Sequence, residues 1–154
     1  MKGLKIKDIS VKAKQGLYGI VFTSWNPSIV QDLLKETKKE LISQGVDEAN
    51  IYLKEVPGAF ELPLATQFMA EKEGILSVIS LGAIIRGDTP HFEFISSSCL
   101  EGLQEVSLKT SIPVICGVLT TNTIEQAEER SDPNKMNKGK EFALTALNMV
   151  DSLS

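Results

Sequence analysis

Histidine and tryptophan each occur once in the 154 residues, and cysteine only twice. A single histidine with no paired-cysteine motif excludes the common zinc ligand sets. Cys99 and Cys116 both sit in apolar surroundings, so two reduced, buried thiols are expected and not a disulfide framework. No dense basic block occurs, and the net charge is −4. That balance argues against a nucleic-acid partner, which needs a basic face for the phosphates. The longest apolar-rich stretch, Ile75–Ile85, contains Ser and Gly and is too short to span a bilayer. Met1–Ser10 alternates Lys with apolar residues and has no apolar signal core. The expectation is a soluble cytoplasmic protein with no membrane partner. Signature loops are missing too. There is no GxGxxG after the first strand-like run and no GxxxxGK[ST], which argues against a dinucleotide site and a P-loop. There is no GxSxG elbow. The third strand ends in Leu81-Gly82-Ala83 and not in the acidic residue of a phosphoacceptor site.

What is present is an ordinary globular composition, 42% hydrophobic and 23% charged, long enough for one domain with its own core. A single domain over residues 1–154 is expected. Apolar strand-like runs alternate with amphipathic helical stretches. Strands are predicted at Tyr18–Ser24, Ile51–Glu55, Ile75–Leu81 and Val114–Leu119. Helices are predicted at Ser28–Ser43, Phe60–Glu71, Pro90–Thr110, Thr123–Arg130 and Lys138–Leu153. Alternating β and α elements imply an α/β fold, with a four-stranded parallel sheet and helices on both faces. Leu4–Ile9 reads as a further strand with no partner inside this sheet, so pairing with a neighbouring subunit is expected.

In open parallel sheets ligands bind beyond the carboxyl ends of the strands. That rule selects Thr23–Pro27, Val56–Glu61, Gly82–His91 and Thr120–Thr123, and so gathers the lone Trp25 and the lone His91. Thr89 is a plausible N-cap with Pro90 at the first helical position. His91 then falls in the first turn, where free N–H groups favour an anion and an imidazole can pass a proton near neutral pH. Each residue also has a plainer reading. His91 as a capping or solvated side chain is one, and Trp25 as a packing residue instead of a stacking platform is another. Glu61 is either an exposed first-turn charge or an acceptor for a ligand hydroxyl. Arg130 and Lys138 are either solvated or hold a phosphate. Arg86 and Asp88 pair with each other or with a neighbour.

Four segments, taken in order, resemble the lumazine synthase family: Pro57–Pro63 (PGAFELP), Leu81–Ile95 (LGAIIRGDTPHFEFI), Gly117–Arg130 (GVLTTNTIEQAEER) and Asn137-Lys138-Gly139. The resemblance covers nearly the whole chain. It implies a flavodoxin-like three-layer sandwich and a role in riboflavin biosynthesis. The reaction would join 5-amino-6-(D-ribitylamino)uracil to L-3,4-dihydroxy-2-butanone 4-phosphate, giving 6,7-dimethyl-8-ribityllumazine, phosphate and water. It implies no metal and no organic cofactor. Trp25 takes the place of the aromatic residue that stacks on the pyrimidine, with Asn26 beside the ribityl chain. Ala59, Phe60 and Glu61 contact the ribityl chain, and Ala83, Ile84 and Ile85 offer backbone groups to the pyrimidine edge. By the same resemblance Asp88, Thr89 and Arg130 would bind the butanone phosphate. His91 would move protons, with Glu93 as a supporting partner, and Lys138 would be a basic residue near the site.

The chain departs from the family pattern in places. Trp25 stands where Phe is commoner, and Asn122 where Asp or Glu is usual. Cys116 occupies the position of a Phe that lines the pyrimidine site, either as a contact or as core. Ser131–Met136 replaces a glycine-containing linker. The resemblance also implies a homopentamer with sites at subunit interfaces, and leaves open a larger shell of pentamers and riboflavin synthase as a partner. Three other readings stand beside it. They are an archaeal-type riboflavin synthase, a non-catalytic shell or flavin-binding scaffold, and a generic flavodoxin-like binding module.

Overall fold

The computed structural model describes residues 8–154. Strands β1 (Leu17–Thr23), β2 (Ile51–Val56), β3 (Ile75–Ile85) and β4 (Val114–Thr121) make one sheet, in the order β2-β1-β3-β4. Every pairing is parallel. The helices are α1 (Val11–Gln15), α2 (Pro27–Ser43), α3 (Leu62–Ala70), α4 (His91–Thr110), α5 (Ile124–Ser131) and α6 (Lys138–Ser152).

The strands bury both faces, so two cores form. Tyr18, Ile20 and Phe22 of β1 join Ile79, Leu81 and Ala83 of β3 beneath α2 and α6. Val21, Val78 and Ile84 point the other way, against Leu62 of α3 and Cys99, Leu103 and Val106 of α4. From Val78 onward the period-two alternation of strand side chains sends odd and even β3 residues to opposite layers. The result is the flavodoxin-like three-layer arrangement expected from the sequence. Helix α2 buries Ile29, Val30, Leu33, Thr37 and Leu41 along one stripe. It ends where Gly45 takes φ 107, a left-handed conformation that costs glycine least. A buried hydroxyl pair, Thr66 Oγ1 and Ser80 Oγ at 2.7 Å, pins α3 to β3.

Several elements differ from expectation. β3 runs four residues past its predicted end, because Ile84 and Ile85 still pair with Thr120 and Thr121 of β4. The predicted helix from Phe60 opens as a single 3-10 turn, Ala59–Glu61, before α3 begins. α1 was not expected. It is capped by Ser10, whose hydroxyl accepts from Ala13 N, and the Tyr18 hydroxyl donates to Ala13 O at 2.8 Å. Of the predicted strand Leu4–Ile9, residues 4–7 lie outside the described residues. Asp8 and Ile9 are not in a strand, and Ile9 is buried in the α2–α6 core. Cys99 is buried as expected, whereas Cys116 is exposed. β4 is an edge strand among the described residues. Burial pushes the Cys99 thiol up to about 12, with a further contribution from nearby Cys116. Among the described residues no helix is long and apolar enough to cross a membrane.

Candidate active site

β1 lies between β2 and β3, so the connections leaving β1 and β3 diverge at their carboxyl ends and leave a crevice there. A cavity of about 290 Å³ occupies it. Thr23, Trp25 and Asn26 reach it from the end of β1, and Gly58, Ala59 and Phe60 from the turn after β2. Ala83, Ile84 and Ile85 come from β3, Gly87 and Thr89 from the loop beyond it, and His91, Phe92 and Ile95 from α4. His91 is the only ionisable side chain in this lining.

Each wall has a local cause. The β1–β2 ladder continues past both strands, with Ser24 N donating to Val56 O at 2.8 Å and Trp25 N to Pro57 O at 3.2 Å. Trp25 is thereby held beside the Pro57-Gly58 turn, with its indole 65% exposed. A Cβ at Gly58 would sit 2.5 Å from the indole Cζ3, so any side chain there would have to displace the indole. Its φ of −140 needs no glycine. Gly58→Ala is therefore expected to tilt the indole, shifting Trp25 emission in the free protein. An aromatic contact of this kind is worth about 1 kcal/mol, a few-fold in the Kd of a flat heterocycle. Unchanged emission and affinity would mean that the indole does not need this seat.

Asn26 adopts φ 56, a left-handed conformation Asn tolerates, and its Nδ2 donates to Ala83 O at 3.0 Å. The Asn26 amide therefore ties the loop after β1 to β3. The length of β3 also matters. Its pairing with β1 stops at Leu81, while pairing with β4 runs on to Ile85. Arg86 N and Val78 N donate towards β4, so by alternation even-numbered backbone groups serve that ladder. Ala83 and Ile85 face the crevice instead, where β1 has ended. Ile84 contributes its side chain and not its backbone.

His91 opens α4. Its N–H reaches Thr89 Oγ1 at 3.4 Å, so Thr89 caps weakly and the N-cap position itself is Pro90. The His91 side chain has no hydrogen-bond partner among the described residues. Glu93, expected beside it, pairs instead with Arg86. That hydrogen bond holds the Glu93 carboxyl below the usual range. Asp88 lies in the exposed loop between Gly87 and Thr89. Phe92 and Ile95 also line the cavity, though nothing in the sequence singled them out as site residues. Ile95 follows His91 by four residues, a spacing that puts both on one helical face.

The remaining expected residues lie away from the cavity. Glu61 folds back so that its Oε2 accepts from Gly58 N at 3.1 Å, holding the turn that carries Phe60. It also borders a larger open groove of about 920 Å³ between β2 and α3. Arg130 Nη1 donates to Gln126 O at 3.0 Å, and Lys138 pairs with Glu141 at 2.6 Å. Cys116 lines shallow hollows along β4. Of the four loops selected by the strand-end rule, the one after β4 does not line the cavity. Within one chain, then, the indole and the imidazole share a cavity and the Arg130 guanidinium does not. A family model described as 6,7-dimethyl-8-ribityllumazine synthase matches residues 17–154.

Proposed function

This chain belongs to the 6,7-dimethyl-8-ribityllumazine synthase family, placed in riboflavin biosynthesis, and we propose that it carries out that condensation itself. The observation that supports this most is the shared cavity of Trp25 and His91. It joins a flat apolar platform to one proton carrier. The pyrimidine ring stacks on the indole, with its polar edge against the backbone of Ala83 and Ile85 and its ribityl chain towards Ala59 and Phe60. The first turn of α4, with Asp88 and Thr89 before it, receives the phosphate, since N–H groups at a helix start favour an anion.

The 5-amino group attacks the ketone, and one water leaves as the imine forms. Removal of the proton on the adjacent carbon lets the bond to phosphate break. The resulting enol becomes a methyl ketone, which the ribityl-bearing nitrogen attacks, and a second water leaves on ring closure. His91 carries the protons. The sum is condensation and elimination without net redox change, so no electron carrier is needed. Orientation of two reactive partners supplies much of the acceleration.

Arg130, Lys138 and Cys116 enter this reading from a neighbouring subunit of a homopentamer. Two features support self-association. Among the described residues β2 is an edge strand, and unpaired edges in native proteins are usually covered. The groove beside it exposes Phe60, Leu64 and Phe68, and a continuous apolar patch marks an interaction surface. Incubating the protein with the pyrimidine and the butanone phosphate should yield the fluorescent lumazine together with free phosphate, from a particle whose native mass is a multiple of five chains. A protein that consumes the lumazine without forming it is a riboflavin synthase. One that binds flavin and turns over neither is a scaffold. Either result overturns the proposal.

A further inference from the structure

The Gly87–Pro90 loop that leads into His91 is thinly packed, since a Cβ at Gly87 would meet nothing within 4 Å. Something else must hold the first turn of α4 in register, and the contacts of Arg86 fill that role. Its N–H donates to Thr121 O at 2.9 Å, fixing its backbone to the end of β4. Its side chain then makes three contacts. Nε donates to Asn122 Oδ1 at 2.8 Å, Nη1 pairs with the Glu93 carboxylate, and the guanidinium lies 4.4 Å over the Phe92 ring. Phe92 and Glu93 are the two residues that follow His91. Asn122 is held in turn, its N–H donating to Gln126 Oε1 at 2.9 Å. One planar cation therefore bridges β3, the turn after β4 and the first turn of the helix that carries the imidazole.

We propose that Arg86 is a positioning residue for His91, acting through Phe92 and Glu93 to fix the imidazole in the cavity it shares with Trp25. The inference rests on the proposed reaction for its kinetic arm only. The Arg86–Glu93 pair is about half exposed on both sides, and pairs of that kind add little to stability. What it supplies is geometry, since a fork that is stacked and doubly bonded has one orientation. An ammonium cannot make all three contacts, so Lys is a poor substitute. Phe92 also lines the cavity, so a slackened guanidinium would disturb both the ring and the wall beside it.

The test compares Arg86→Met, which keeps the apolar stem, and Asn122→Ala, an exposed change that removes one acceptor. His91 is the only histidine, so the NMR signal of its labelled imidazole is unambiguous in the free protein. The signal is expected to move or broaden in Arg86→Met, and to a smaller degree in Asn122→Ala. For Arg86→Met kcat is expected to fall by roughly 10–100-fold, with KM for both substrates changed by less than about threefold. In a His91→Ala background the same substitution should cost nothing further, because a positioning residue has no effect once its target is gone. Loss of the same factor again in that background overturns the proposal. So does a raised KM for the phosphate substrate with kcat kept, which would make Arg86 a phosphate ligand. If the wild-type protein forms no lumazine, the reaction reading fails by itself and the imidazole signal decides. An unchanged signal in Arg86→Met then overturns the positioning role.

Discussion

Replacing His91 by alanine is expected to lower kcat by roughly 10²–10⁴-fold, the usual worth of a positioned general acid–base group. The size follows from the cavity lining, in which no other side chain can titrate. The indole, amide and hydroxyl groups that remain can orient substrates but cannot carry a proton through the proposed imine formation, elimination and ring closure in turn. Affinity for the pyrimidine should change little, because in the proposed binding mode Trp25 is the platform and backbone groups meet the polar edge. Residual turnover above the uncatalysed rate is expected, since juxtaposition of amine and ketone survives the substitution. Steady-state kinetics on the purified variant, with pyrimidine binding followed by Trp25 fluorescence, measures both. Turnover at the wild-type rate would remove His91 from the mechanism. A variant that no longer binds the pyrimidine would make His91 a binding group.

The second large effect concerns stability. Leu62 is fully buried in the core shared by Val21, Ala59 and Ile84, and its Cδ1 would lie 3.3 Å from a Cβ on Gly82. Ala59 and Ile84 form part of the cavity lining, so Leu62 sits beneath the floor of the site. Leu62→Ala is expected to cost about 2–5 kcal/mol, through lost transfer energy and the void left behind. Leu62→Met, which keeps most of the volume, should cost less than about 1.5 kcal/mol. Urea midpoints compared at one protein concentration give both values, since self-association makes stability concentration-dependent. Equal losses for Met and Ala would mean that shape at this position, and not buried volume, controls the effect.

The two substitutions also mark how unevenly the chain could be read. Leu62 stands in the PGAFELP segment, which the sequence presents as a turn and helix start. Nothing local shows that this leucine reaches β3 and supports Ile84. β3 was expected to end at Leu81. Pairing with β4, more than thirty residues later in the chain, carries it on to Ile85. α1 had no counterpart among the expected elements: Ser10 caps it, and its Ala13 is buried in the core beneath α2 and α6.

The residue pattern by itself determined the α/β class, the parallel sheet and the strand-end loops as the place to look. Those follow from periodicity and chain connectivity, which are local properties or nearly so. It also singled out Trp25 and His91, because each is unique and each falls beyond a strand. Which side chains share a cavity was decided only by the folded chain. The β2-β1-β3-β4 order brings Trp25 to the cavity that His91 lines, the rotation of α4 turns Glu93 to Arg86, and Arg130 and Lys138 are left outside. Distance in space depends on strand order and helix rotation summed over the whole chain, and no window of sequence contains that sum.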